Sequence, residues 1–197
     1  MISPTGWRVD ILVMSFGWDE HVASSRYPLF HQALEDNNMP NSTGIIFTAA
    51  SNGGANYLRT YPASRGSVFA IHATDYNGDA PTPNFNPTRL SGSMNYSTIG
   101  HQVPGDSDLV NLRVSGASFA APVAAGIAAA IIQFFRQQQN GTRWYDYLRT
   151  YDGMSKVFKT MAVRRGDYDY LDWANFFHPA KQAEEIHRQI MDALKAA

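Results

Sequence analysis

Cysteine is absent from the 197 residues, which excludes disulfides and thiolate chemistry and agrees with a reducing compartment. A charge excess is missing too. Lys and Arg number 16 against 17 Asp and Glu, for a formal net charge of −1, so neither nucleic acid nor an anionic membrane surface is an expected partner. No apolar run is read as reaching the length of a membrane span, and Met1 to Gly6 lacks the basic and apolar regions of a signal peptide. The expected location is therefore the cytoplasm, with no membrane partner. Internal repeats and clusters with metal-ligand spacing are lacking as well, so neither metal nor cofactor is expected. What is left is enough chain for one domain with a sizeable core.

Three short apolar runs read as strands buried on both faces of a parallel sheet: Val9 to Met14, Gly44 to Ala50, and Ser67 to Ala73. Between the first two, Leu29, Phe30, Ala33 and Leu34 fall at helical spacing in a segment from Pro28 to Asn38, which suits a crossover helix. Asp75 to Asp79 is a turn sequence that lacks the glutamate and glycine spacing of a calcium loop. Ala80 to Asn111 is rich in Pro, Asn, Ser and Gly and reads as loop, with strand-like pieces at Ser97 to Ile99 and Leu112 to Val114. Beyond Gly141 the chain turns aromatic. Tyr145 to Met161 suits one or two helices, and Arg164 to Tyr170 a turn into a short extended piece whose aspartates offset its arginines. Glu184 to Leu194 places Ile186, Ile190 and Leu194 on one helical face.

The order strand, helix, strand, loop, strand, buried helix predicts an α/β domain with a mainly parallel sheet. Ligands of such sheets bind at the carboxyl ends of the strands. Ser15 to Trp18 and Ser51 to Gly54 lie at two such ends. A third segment, Ser115 to Gly126, joins a glycine-containing loop to a run of small and apolar residues ending near Phe135. Ser118 sits at that join, where the first N–H groups of a helix have no intrahelical acceptors and partial positive charge accumulates. A serine there serves either as a cap or as a nucleophile whose oxyanion is stabilised in place. Pro122 is expected within the first turn.

Ser115-Gly116-Ala117-Ser118-Phe119-Ala120-Ala121-Pro122 resembles the nucleophile motif of the subtilisin-like serine peptidases, usually Gly-Thr-Ser-Met-Ala-x-Pro. Ala49-Ala50-Ser51-Asn52-Gly53 resembles their Ala-Ala-Gly-Asn strand end, and Val13-Met14-Ser15-Phe16-Gly17 their Met-Ser-Leu-Gly segment. Tyr61 to Ala63, Val68 to Asp75 and Pro104-Gly105 follow the same order, so the resemblance covers roughly residues 9 to 135. The aromatic C-terminal part resembles that of fungal members. The resemblance implies a partial subtilisin-like α/β fold and serine endopeptidase activity. Ser118 would be the nucleophile and Asn52 the oxyanion-hole donor. Ser15, Phe16 and Gly17 would take an extended peptide or protein substrate as an added strand, and Ala49, Ala50 and Ser51 would line the pocket for the residue before the cleaved bond.

The family order of Asp, then His, then Ser puts the first two ahead of the segment that here begins at Val9, so the base and its orienting carboxylate are expected to be missing. Residues 1–178 then correspond to the C-terminal portion of a catalytic domain and 179–197 to a helical tail. The expected partner is the N-terminal half of that domain, without which the strand at Val9 to Met14 exposes an edge. Of the six histidines, none stands where the resemblance places the base. His72 reads as packing, and His101, in the loop before Ser118, is the rival base. Ala117 replaces the family threonine and Val123 a common histidine. The alternative reading is a non-catalytic module that keeps the groove and binds peptides or a partner domain.

Overall fold

The computed structural model describes residues 9–18, 25–37, 44–82, 85–105, 112–139 and 142–196; Met1 to Gly6 and His21 lie outside them. Strands β1 (Ile11–Met14), β2 (Ile45–Ala49), β3 (Phe69–Thr74) and β4 (Tyr96–Ile99) follow one another across one sheet, each parallel to the next. β5 (Val103–Pro104) and β6 (Arg113–Val114) form a separate two-stranded ribbon just before the site helix. The hairpin β7 (Ala162–Arg165) and β8 (Tyr168–Leu171) completes the main sheet, in the order β1-β2-β3-β4-β8-β7. Its turn passes through Gly166 at φ +52°, where glycine has no Cβ penalty. The extended piece expected near Tyr170 is thus a sheet strand, parallel to β4 through Tyr96 and Ser97.

Helices cover both faces. Helix α1 (Pro28–Asn37) brings Leu34 and Phe30 against Met14, Ile46, Tyr61 and Val68. The opposite face packs on α2 (Ala117–Gln139), α3 (Arg143–Leu148) and α4 (Tyr151–Met161). Phe158 is the centre of that layer, its ring meeting Phe47, Phe69 and Tyr96 at centroid distances of 5.2–5.9 Å. After the short α5 (Trp173–Phe176), α6 (Ala183–Lys195) buries Ile186, Ile190 and Leu194 in the same core. Arg149, at the end of α3, pairs with Asp10 beside β1, and β1 forms an outer edge of the sheet among the described residues.

One sequence expectation needs correcting. Helix α2 is long and apolar enough, by length and composition, to span a membrane over Ala117–Gln138. Half of that stretch is buried inside the protein, because the alanines at 120, 121, 124, 125 and 128 let the helix lie close against four strands of the sheet. Pro122 is also not in the first turn but is the sixth helical residue.

His72 lies on the sheet face opposite α2, fully buried. Its Nε2 is 3.2 Å from Arg59 Nη2, and burial, reinforced by the Arg59 and Arg89 charges, pushes its pKa down to about 3. The folded protein therefore holds His72 neutral at pH values where the unfolded chain, near 6.5, takes up a proton. This contribution to stability is complete above pH 6.5 and is lost as pH falls toward 3. Between pH 6.5 and 5 it costs roughly 2 kcal/mol. Denaturant unfolding of wild type and His72→Met across that range should show the wild type losing the larger share; parallel pH dependences would refute the assignment.

Candidate active site

Parallel pairing of β1 to β4 places all their carboxyl ends on one rim, and the predicted site residues meet there. The Ser118 hydroxyl donates to the Ser15 carbonyl at 3.2 Å, and the Ser15 hydroxyl donates to the Ser118 carbonyl at 2.9 Å. This reciprocal pair has a cause in the sequence. In an α-helix the Ser118 carbonyl would accept from the N–H four residues on, but that residue is Pro122, which has none. Ser15 supplies the missing donor, and so ties the end of β1 to the first turn of α2.

Ser118 is not the N-cap. The Gly116 carbonyl accepts from Phe119 N and Ala120 N at 3.0 and 3.3 Å, so Gly116 caps the helix and Ser118 is its second residue. That position leaves the Ser118 N–H without an intrahelical acceptor. The orphan N–H of Ala117 is satisfied from outside: Asn52 Oδ1 accepts from it at 2.8 Å. With its oxygen committed to the helix, the Asn52 amide nitrogen is the donor left to the rim. A Cβ on Gly116 would come within 3.2 Å of that nitrogen, so a glycine keeps the approach open.

Ser51 holds Asn52 in place at a conformational cost. Its φ is +112°, a region costing a non-glycine residue about 1–3 kcal/mol, and Gly53 N donates to its hydroxyl at 3.1 Å. Ser51→Gly should raise unfolding stability by roughly 1 kcal/mol through relief of that strain; a loss of stability on denaturant titration would show that the hydroxyl contact outweighs it.

Ser15, Phe16 and Gly17 are exposed, and directly after them Trp18 pairs antiparallel with Tyr61 through N–H to carbonyl bonds of 3.1 and 2.9 Å. Of the three residues expected to line a pocket, Ala49 and Ala50 are 7 % and 0 % exposed, and Ser51 is half-buried. His101 does not reach Ser118: its Nδ1 shares a hydrogen bond with Ser115 Oγ at 2.9 Å, and Gln102 N donates to the same oxygen at 3.0 Å. His31 contacts Tyr61, His178 accepts from Ala180 N, and His187 stacks on Phe135. No described histidine is bonded to Ser118. Asp75 accepts from Asn77 N and Asp79 N with one oxygen, the bonding of a plain turn.

Sequence reasoning missed Gly100. Its N–H donates to Thr74 and its carbonyl accepts from Gly116 N at 2.7 Å, so it fastens β3 and β4 to the start of α2. A Cβ there would lie 2.8 Å from both Ala120 Cβ and the Gly116 oxygen. A glycine directly after a strand-like run was the only signal pointing to it. Asn86 was missed too; it bonds Ala73 N and O at 3.1 and 2.9 Å, continuing β3's pairing past the end of β2.

The fold is shared with solved peptide-processing enzymes. The prenylagaramide maturation protease PagA superposes with a TM-score of 0.61 at 19% identity, covering 92% of this chain and 61% of that one. An alanine mutant of the protease domain of PatA gives 0.63 at 18%, covering 93% and 60%. The PatG macrocyclase in complex with peptide gives 0.58 at 16%, covering 95% and 52%. The chain thus spans about three fifths of the first two structures and half of the third. Nothing in these likenesses supports the fungal resemblance of the aromatic C-terminal part. No curated protein matches the sequence. The family model of the subtilases, peptidase S8, matches residues 2–162, most of the chain and all three rim segments, and this chain belongs to that family.

Proposed function

We propose that this chain is the nucleophile-bearing portion of a serine endopeptidase, with residues 1–178 as the C-terminal portion of its catalytic domain and 179–197 as a helical tail. Ser118 attacks the scissile carbonyl, and its own N–H and the Asn52 amide receive the developing oxyanion. An extended peptide pairs with Ser15 to Gly17, and half-buried Ser51, with the covered Ala49 and Ala50 behind it, flanks the residue before the cleaved bond. The reading rests on one observation: Ser118, Ser15 and Asn52, far apart in the chain, are bonded into a single cluster at the head of α2. Absence of any described histidine from that cluster supports the further proposal that the base and its carboxylate come from an N-terminal half of the domain. It equally favours the second reading, a peptide-binding module without turnover. Reaction with a serine-directed fluorophosphonate, in the 197-residue chain and in one carrying an upstream half, tests both.

A further inference from the structure

A cavity of about 600 Å³ opens on the other rim of the sheet, lined by the first residues of β3 and β4 and by one face of α4. Ser118 stands at the carboxyl ends of the same parallel strands. With strands of four to six residues and about 3.3 Å per residue, the two rims are roughly 13–20 Å apart, so the cavity is separate from the Ser118 rim.

Its charge is unbalanced. Among the described residues three cations line it, Arg59, Arg65 and Lys159, against one acid, Asp152. Arg65 is paired with Glu35 at 3.5 Å, outside the lining. The remaining lining carries one net positive charge. Arg59 holds most of that imbalance in the interior: among the described residues its Nη2 meets only neutral partners, Asn95 Oδ1 at 2.9 Å and His72 Nε2 at 3.2 Å, and its buried Nε has no partner. Burial lowers its pKa, as expected of a cation removed from water without a counter-ion. The protein gives it neutral acceptors where a structural arginine would be given a carboxylate. Leu90, Met94 and Tyr151 add an apolar wall, and the volume lies within the range of small-molecule sites.

We propose that this cavity binds a small organic monocarboxylate, its carboxylate on Arg59 with Lys159 at the mouth, and its apolar body against Leu90, Met94 and Tyr151. A single negative charge neutralises the lining, and a carboxylate is a monoanion that accepts a charge-assisted hydrogen bond from a guanidinium N–H.

Benzoate is the probe, with benzyl alcohol as its uncharged counterpart, each titrated into the 197-residue chain at fixed ionic strength and followed by saturation-transfer NMR. Benzoate should give a saturable signal, with the alcohol at least about five-fold weaker. Arg59→Gln should abolish it, and Ser118→Ala should leave it unchanged, which separates this site from the peptidase rim. If Arg59→Gln does not fold, Lys159→Glu decides alone, since Lys159 is exposed and the reversal turns the lining negative. Failure of benzoate to saturate, equal binding of the alcohol, or full binding by Lys159→Glu would overturn the proposal.

Discussion

A serine-directed fluorophosphonate should leave Ser118 unlabelled in the 197-residue chain and label it rapidly once an upstream half bearing Asp and His is supplied. A serine hydroxyl is a weak nucleophile until an adjacent base removes its proton. Here the hydroxyl donates to the Ser15 carbonyl, an acceptor that orients the proton but cannot take it away. In subtilisin itself, removal of the histidine alone costs on the order of 10⁶ in turnover. Peptide hydrolysis by the two forms should differ by about that factor, with Ser118→Ala silencing the active one. Strong labelling of the short chain, lost in Ser118→Ala, would show that a base is already present in it. Failure of the extended chain to react would eliminate the peptidase in favour of the binding module.

Asn52 should divide into two separable roles in the active form. Its oxygen caps Ala117 and its nitrogen faces the rim. Asn52→Ala removes both, so turnover should fall by roughly 10²–10³, again subtilisin's figure for the equivalent donor, and stability by about 1 kcal/mol for the lost cap. Asn52→Asp keeps an acceptor for the Ala117 N–H and adds a charge that suits a helix N-terminus. It also removes the donor and sets a negative group against the oxyanion. Its turnover should fall at least as far as that of Asn52→Ala while its melting temperature stays near wild type. If Asn52→Asp remained active, the oxyanion role would be wrong; if it melted as early as Asn52→Ala, the capping role would be.

Local signals made much of this legible in advance. The apolar runs at Val9, Gly44 and Ser67 report burial on both sheet faces, and each became a strand within a few residues of its expected limits. Where a signal depends on partners far along the chain, the sequence is ambiguous. Arg164 to Tyr170 reads as a turn into a short extended piece, but only the free side of β4 makes that piece a strand of the main sheet. The apolar length of α2 fits a membrane span as well as a core helix, and only the four strands beneath its alanines decide between them.

Residue types at Ser118, Asn52 and Ser15 were enough to single out the rim cluster, because a serine at a helix start and an amide at a strand end carry hydrogen-bonding chemistry that is local to them. The sequence by itself thus determined the family, the α/β layering and which residues gather at the rim. Tertiary structure alone decided that Ser15 replaces the donor Pro122 lacks, that Asn52 spends its oxygen on Ala117, and that His101 turns to Ser115. It also decided that Arg59 meets no carboxylate among the described residues. The reason is the same in each case: a hydrogen bond or a charge is settled by whichever group arrives within about 3 Å, and sequence separation says nothing about that distance.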